Sequence, residues 1–261
     1  MAVVVYSTED KVSAGAAAAM KRIADLKETE PTMGMRRFIG EGMELLELKS
    51  HHLHAEYLDG LGADCIIILS RHSSAENLPA FTVHAEGNWG SEAKLGGLPK
   101  QLSVAAPVQM LNILARMKAN SDGIPVTYEA THHGPLLKTP SLYAEIGGSE
   151  EAKSSPAKWE ALAKCVLESL GSQADYDRIA LGIGAMHYAD RFTRRALEGK
   201  FAFAHIMPKY RADCADMIDQ AIERSSPRPE VAVVDWQALK SAERAAILKK
   251  LDEFGLDYVK I

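Results

Sequence analysis

Nine histidines occur in 261 residues, and seven of them (His51, His52, His54, His72, His84, His132 and His133) fall between positions 51 and 133. Imidazole ligates metals and moves protons near neutral pH, so uneven placement of this residue type points first to chemistry. The densest stretch is Glu129-Ala130-Thr131-His132-His133-Gly134-Pro135. It puts an acid, a hydroxyl and two imidazoles directly after an apolar run, 124–128, that reads as a buried strand. Ligands of an open α/β sheet sit at the carboxyl ends of its strands. A Gly-Pro step turns the chain there and leaves the preceding side chains at the rim. Such a set can bind a metal, move protons or orient a water. It is also the composition of a polar strand end whose imidazoles are merely solvated.

The same placement recurs along the chain. His72 follows the apolar run 64–69 within Ser70-Arg71-His72-Ser73-Ser74, His84 closes the run 81–84 ahead of Gly87-Asn88, and His187 follows the run 178–183. If the strands are parallel their ends converge, which brings His72, His84, His132 and His187 into one crevice. Asp10, after the first strand, is either a catalytic acid or a helix cap. The cluster His51-His52-Leu53-His54 lacks the HExxH spacing that places two ligands on one helix face. No GxGxxG, GxxxxGK[ST] or GxSxG pattern is present, so dinucleotide, Walker-type and serine-hydrolase readings have no support.

The elements that must position these residues alternate. Strand signals fall at 2–6, 43–48, 64–69, 81–84, 124–128, 142–146, 178–183, 201–206 and 231–234. Helical periodicity covers 11–26, 107–118, 159–170, 213–224 and 238–254, and segments 30–42 and 91–106 read as loops. This pattern predicts an α/β fold with a largely parallel sheet in one domain spanning residues 1–261.

A composition of 47% hydrophobic and 25% charged residues is ordinary for a globular chain. Cys65, Cys165 and Cys214 are widely spaced and form no CxxC pair, which argues against a disulfide framework and a thiolate zinc site. No signal pattern and no apolar run near the ~20 residues of a membrane span are evident, so a cytoplasmic protein is expected. The net charge of −5 excludes a global basic field. Locally, Arg178, Arg191, Arg194, Arg195, Lys200, Lys209 and Arg211 face only Asp190 and Glu198 in sequence. That patch could hold phosphates or be a solvated helix face.

Taken in order, the strand-end motifs resemble the archaeal and plant type of D-aminoacyl-tRNA deacylase. The residues are Ser70-Arg71-His72-Ser73-Ser74, Thr82-Val83-His84 with Gly87-Asn88, and the 129–135 segment. Gly182-Ile183-Gly184, His187-Tyr188, Arg191-Phe192-Thr193, Asp235-Trp236, Leu239-Lys240 and Glu243-Arg244 follow. The resemblance spans essentially the whole chain. Ala185-Met186, Asp190 and Ala204 stand where the family has glycines, a proline and a glycine.

The resemblance implies a three-layer α/β/α fold with a largely parallel or mixed central sheet, like those of peptidyl-tRNA hydrolases and nucleoside phosphorylases. It implies a hydrolase that cleaves the ester between a D-amino acid and tRNA, serving chirality proofreading and D-amino acid detoxification. It also implies zinc, with metal-free catalysis by the same His and Asn residues as the alternative. His84, His132, His133 and His187 are then the expected ligands, with His72 beside them. Adjacent strand residues point to opposite sides, so one of His132 and His133 is expected to orient rather than ligate. Glu129 is the expected base or orienting acid, and Asn88 and Thr131 the donors to the carbonyl or oxyanion. Arg191, Arg194, Arg195 and Lys209 are the expected contacts to tRNA phosphates, on a monomer or homodimer. Two rivals remain: a phosphorylase- or nucleosidase-like enzyme holding phosphate with Arg71 and Ser73, and a non-catalytic tRNA-binding protein.

Overall fold

The structure, a computed structural model, describes residues 1–73, 77 and 79–261; Ser74 of the 70–74 motif lies outside the described residues. Strand β1 (Ala2–Tyr6) leads into helix α1 (Lys11–Ile23). Asp10 caps that helix: its buried Oδ1 accepts from the amides of Val12 at 2.9 Å and Ser13 at 3.1 Å. Of its two expected roles, the cap is the one the geometry fills.

Strands β2 (Lys27–Thr32) and β3 (Met35–Gly40) form an antiparallel hairpin where the sequence reads as a loop. The reason is position. β2 is the outermost strand, exposed along its length, so neither face needs apolar residues and Pro31 is tolerated. Met33 and Gly34 make the turn with φ of +50° and +71°, the left-handed pair that tight hairpins use.

Then come β4 (Met43–Glu47), two 3-10 turns at His52–His54 and Glu56–Leu61, β5 (Cys65–Arg71) and β6 (Ala80–His84). A short ladder pairs β7 (Gly87–Asn88) with β8 (Gln101–Leu102). Helix α2 (Pro107–Ala119), β9 (Val126–Tyr128), β10 (Ser141–Gly147), α3 (Glu150–Lys153) and α4 (Pro156–Leu170) follow. The last third holds β11 (Arg178–Ala185), α5 (Asp190–Leu197), β12 (Phe201–Pro208) and α6 (Ile218–Glu223). It ends with β13 (Val231–Val234), α7 (Ser241–Glu253) and β14 (Tyr258–Lys260). Helix α5 and strand β14 have no counterpart in the sequence reading, and α6 is shorter than the helix expected over 213–224.

The fold is mixed α/β, and it carries two principal sheets. The larger has the order β2-β3-β4-β1-β5-β10-β6-β9; the smaller, β12-β11-β13-β14, is parallel throughout. In the larger sheet β4, β1, β5 and β10 run parallel, but β6 pairs antiparallel with β10 and carries β9 with it.

Strand alternation divides β1 between two cores. Val4 and Tyr6 join α1, α2 and α4, whereas Val3 and Val5 meet Leu58, Leu137 and Tyr143 beneath the 3-10 turns. The first of these cores also takes in Phe203 and Ala202 of β12, so it is shared by both sheets. Among the described residues, no helix is long and apolar enough to cross a membrane.

Candidate active site

The segment after β9 ties the two sheets together amide by amide. Glu129 N donates to Val83 O at 3.0 Å, Ala130 N to His187 O at 2.9 Å and Thr131 N to Ile206 O at 2.9 Å. Gly87 N in turn donates to His133 O at 2.6 Å. Successive residues therefore bond to β6, to the turn after β11, to β12 and to β7. His84, His132, His133 and His187 are gathered by these bonds.

The route differs from the expected convergence of parallel strand ends. Because β6 runs against β10, His72 and His84 arrive from opposite strand directions. What lies between them is Glu145, in the middle of β10, with Oε2 3.7 Å from His72 Nδ1 and 3.6 Å from His84 Nε2. All four expected imidazoles meet, and His133 joins them.

His133 also departs from strand alternation. Its φ of +44° is left-handed, so its ring turns to stand beside that of His132, centroid to centroid at 4.3 Å. The expectation that these neighbours face opposite sides fails because the ladder ends at Tyr128. The His84 ring lies 4.3 Å from that of His132 and 4.9 Å from that of His133.

In all three, Nδ1 faces a main-chain carbonyl: Ala85 O at 3.1 Å, Ala130 O at 2.8 Å and Gly134 O at 2.7 Å respectively. A carbonyl only accepts, so each Nδ1 carries a proton, and each Nε2 is left for another partner when its ring is neutral. The Nε2 of His84 is buried without a hydrogen-bond partner. One ligand atom from each of the three lies within 4.8 Å of the others. Carbonyl-anchored imidazoles of this kind are what a metal centre requires. His72 with Glu129 and His187, and His84 with Glu129 and Glu145, meet the same distance criterion.

Charge in the cluster is centred on Glu129. Its carboxylate is buried, with Oε1 3.0 Å from His72 Nδ1 and Oε2 3.1 Å from His187 Nε2 and 3.6 Å from His132 Nε2. Burial alone would raise this carboxyl, but the His187 and His72 contacts, with His132 and His84 nearby, hold it well below the usual range. Burial lowers His84 too, yet the Glu145 contact and the charge of Glu129 outweigh it and push the imidazole up to about 9. Burial and the adjacent positive His84 push His132 down to about 3, and burial with His132 and His84 puts His133 well below its ordinary value. His187, with its side chain 38% exposed, is more open to solvent than His132 at 23%.

Thr131 and Asn88 are both occupied. His205 Nε2 lies 2.9 Å from Arg224 O and 3.1 Å from Ser103 O, so it donates there and its Nδ1 accepts. The Thr131 hydroxyl, 3.2 Å from that Nδ1, therefore gives its proton to His205 while accepting from Ile206 N at 3.0 Å. That corrects its expected role: no proton is left for an oxyanion, and Thr131 instead braces its segment. Asn88 Nδ2 donates to Gly96 O at 2.9 Å and fixes the 91–100 loop. Asn88, Thr131, His132 and His133 line a cleft of about 120 Å3 together with Gly90, Tyr210 and Arg211.

The expected phosphate contacts are only partly available. Arg191 Nη1 pairs with Asp235 Oδ1 at 2.6 Å and Arg195 with Glu198 at 3.0 Å, while Arg194 and Lys209 are exposed. Arg71 and Ser73 are exposed and do not line the histidine cleft. Glu145 and Tyr210 were not singled out from sequence, and Arg211 only as one member of the basic patch. Glu145 carried a usable signal, a lone acid inside an apolar run, since an acid buried in a strand requires partners.

The model for the D-aminoacyl-tRNA deacylase family matches residues 60–259. A D-aminoacyl-tRNA deacylase from Ignicoccus hospitalis is 40% identical over 99% of this chain and 98% of its own length. One from Pyrococcus horikoshii is 35% identical over the whole of both chains. A solved structure described as a conserved protein of unknown function, AF0625, superposes with a TM-score of 0.91 at 27% identity, covering 100% of this chain and 95% of that one. Matched by that family's model over residues 60–259 and by relatives 35% and 40% identical over nearly their whole length, the chain belongs to the D-aminoacyl-tRNA deacylases.

Proposed function

We propose that this protein hydrolyses the ester of D-aminoacyl-tRNA in the histidine cleft, releasing tRNA and the free D-amino acid, and that it needs zinc to do so. Family membership supports the reaction, and the relatives named above carry that activity in their names. The observation that carries the metal reading is the trio His84, His132 and His133, each anchored at Nδ1 and each with a ring nitrogen within 4.8 Å of the others. The donor set fits a borderline cation, with Glu145 and Glu129 supplying the opposing charge. When bound, zinc would lower the pKa of a water toward ~7 and polarise the ester carbonyl.

The chain's own residues do the rest. Glu129 keeps His72 and His187 oriented and holds positive charge in the cleft. His187, fixed at Nε2 by Glu129 and open to solvent, is placed to pass a proton to the leaving ribose oxygen. Asn88 shapes the rim by anchoring the loop at Gly96. Exposed Arg194 and Lys209 contact phosphates, with Arg191 and Arg195 joining only if their acid partners are displaced. Removal of D-amino acids from tRNA in the cytoplasm is the physiological role that follows.

The test is incubation of the protein with D- and L-tyrosyl-tRNA, with and without 1,10-phenanthroline. Cleavage of the D-ester, its loss to chelator and its return with added zinc are expected. Failure of the zinc-loaded protein to cleave either ester ends the deacylase reading, and full activity in chelator ends the metal reading.

A further inference from the structure

We infer that Tyr210 and Arg211 form the subsite for the terminal nucleotide of the tRNA, with Tyr210 stacking on the base and Arg211 holding the phosphodiester on its 5′ side. The inference rests on the deacylase reading and names what lies beside the ester. Both residues line the cleft that His132 and His133 share. A Cβ on Gly90 would come within 2.7 Å of Arg211 Cζ, so the guanidinium lies directly over bare glycine backbone.

No acid accompanies the arginine there. Among the described residues no carboxylate is within ion-pair distance of Arg211, and the nearby Glu92 is paired with Lys94 at 3.0 Å. This sets it apart from Arg191 and Arg195, whose charges are already matched. An unpaired guanidinium on a cleft wall is a bidentate site for a phosphodiester. Tyr210, 56% exposed at the same wall, offers a ring face of the kind on which bases stack. An ester seated at the imidazoles leaves the attached ribose, its base and its 5′ phosphate to cross this wall.

The test compares D-tyrosyl-tRNA with the D-tyrosyl ester of adenosine, which lacks the phosphate. Arg211→Ala should lower the ratio of kcat/KM for tRNA over the adenosine ester about tenfold, mainly through KM. It should also reduce the slope of log KM against log salt by about 0.7–0.9, the share of one phosphate contact. Arg211→Lys should restore part of both. Equal losses on the two substrates, or an unchanged salt slope, overturn the phosphate assignment. Tyr210→Ala should raise KM for the adenosine ester about tenfold, and Tyr210→Phe should not; equal effects of the two overturn stacking. A wild-type protein inactive on both esters would instead bring down the deacylase reading, and the wild type's own inactivity distinguishes that failure.

Discussion

Two histidine doublets in this chain have the same composition and opposite fates. His52 spends both ring nitrogens internally: Nδ1 is 3.0 Å from Tyr143 Oη, and Nε2 is 3.1 Å from Ser70 Oγ and 3.5 Å from Asp10 Oδ2. His132 and His133 use Nδ1 on carbonyls, and neither Nε2 makes a hydrogen bond among the described residues. Adjacency of imidazoles is therefore not the mark of a reactive site; an uncommitted second nitrogen is. The two regions also touch. Tyr143 donates to Gly134 O at 3.1 Å, and its ring stacks on His84 at 5.0 Å and 4°. The committed doublet thus buttresses the uncommitted one.

The contrast is broken most forcefully at the second doublet. His133→Ala should reduce kcat/KM on D-tyrosyl-tRNA by on the order of 10³-fold, the scale of losing a group that acts at the transition state. Its far-ultraviolet circular dichroism should match wild type. His52→Ala should do the reverse. Stripping Asp10, Ser70 and Tyr143 of a shared buried partner should cost ~1–3 kcal/mol in urea unfolding, with activity per folded molecule at least ten times that of His133→Ala. Equal activity loss in the two variants would erase the distinction.

His205 sharpens the comparison with a smaller effect, confined to acid. Both its nitrogens are engaged, and burial pushes it down to about 4, against ~6.5 when unfolded. Below ~6.5 the unfolded chain takes up a proton that the folded chain refuses. The contribution of His205 is therefore complete above ~6.5 and is lost as pH falls toward about 4, by up to ~1.4 kcal/mol per pH unit. His205→Gln should flatten that part of the stability profile, measured by urea titration between pH 4 and 7. An unchanged slope would mean that this histidine does not titrate on unfolding as its surroundings dictate.

What could be read from sequence follows from burial. β1, β5 and β13 are wholly or nearly wholly buried, so their apolar runs show at once. The hairpin of β2 and β3 was missed because an edge strand with a polar face has no such run. The site's imidazoles were legible as residue types at strand ends. Their arrangement was not, since it depends on the reversed direction of β6, the left-handed backbone at His133 and the acid within β10. Pairing across distance was equally hidden: nothing local to Arg191 announces Asp235, 44 residues away.

The amide-by-amide attachment of residues 129–131 to both sheets has a consequence for how the enzyme assembles. Neither sheet alone owns a full complement of reactive groups, so fragments divided between them would stay inert until joined. During refolding, catalysis can return only after the smaller sheet has docked. Recovered turnover is thus a clock for that last event rather than for formation of the larger sheet.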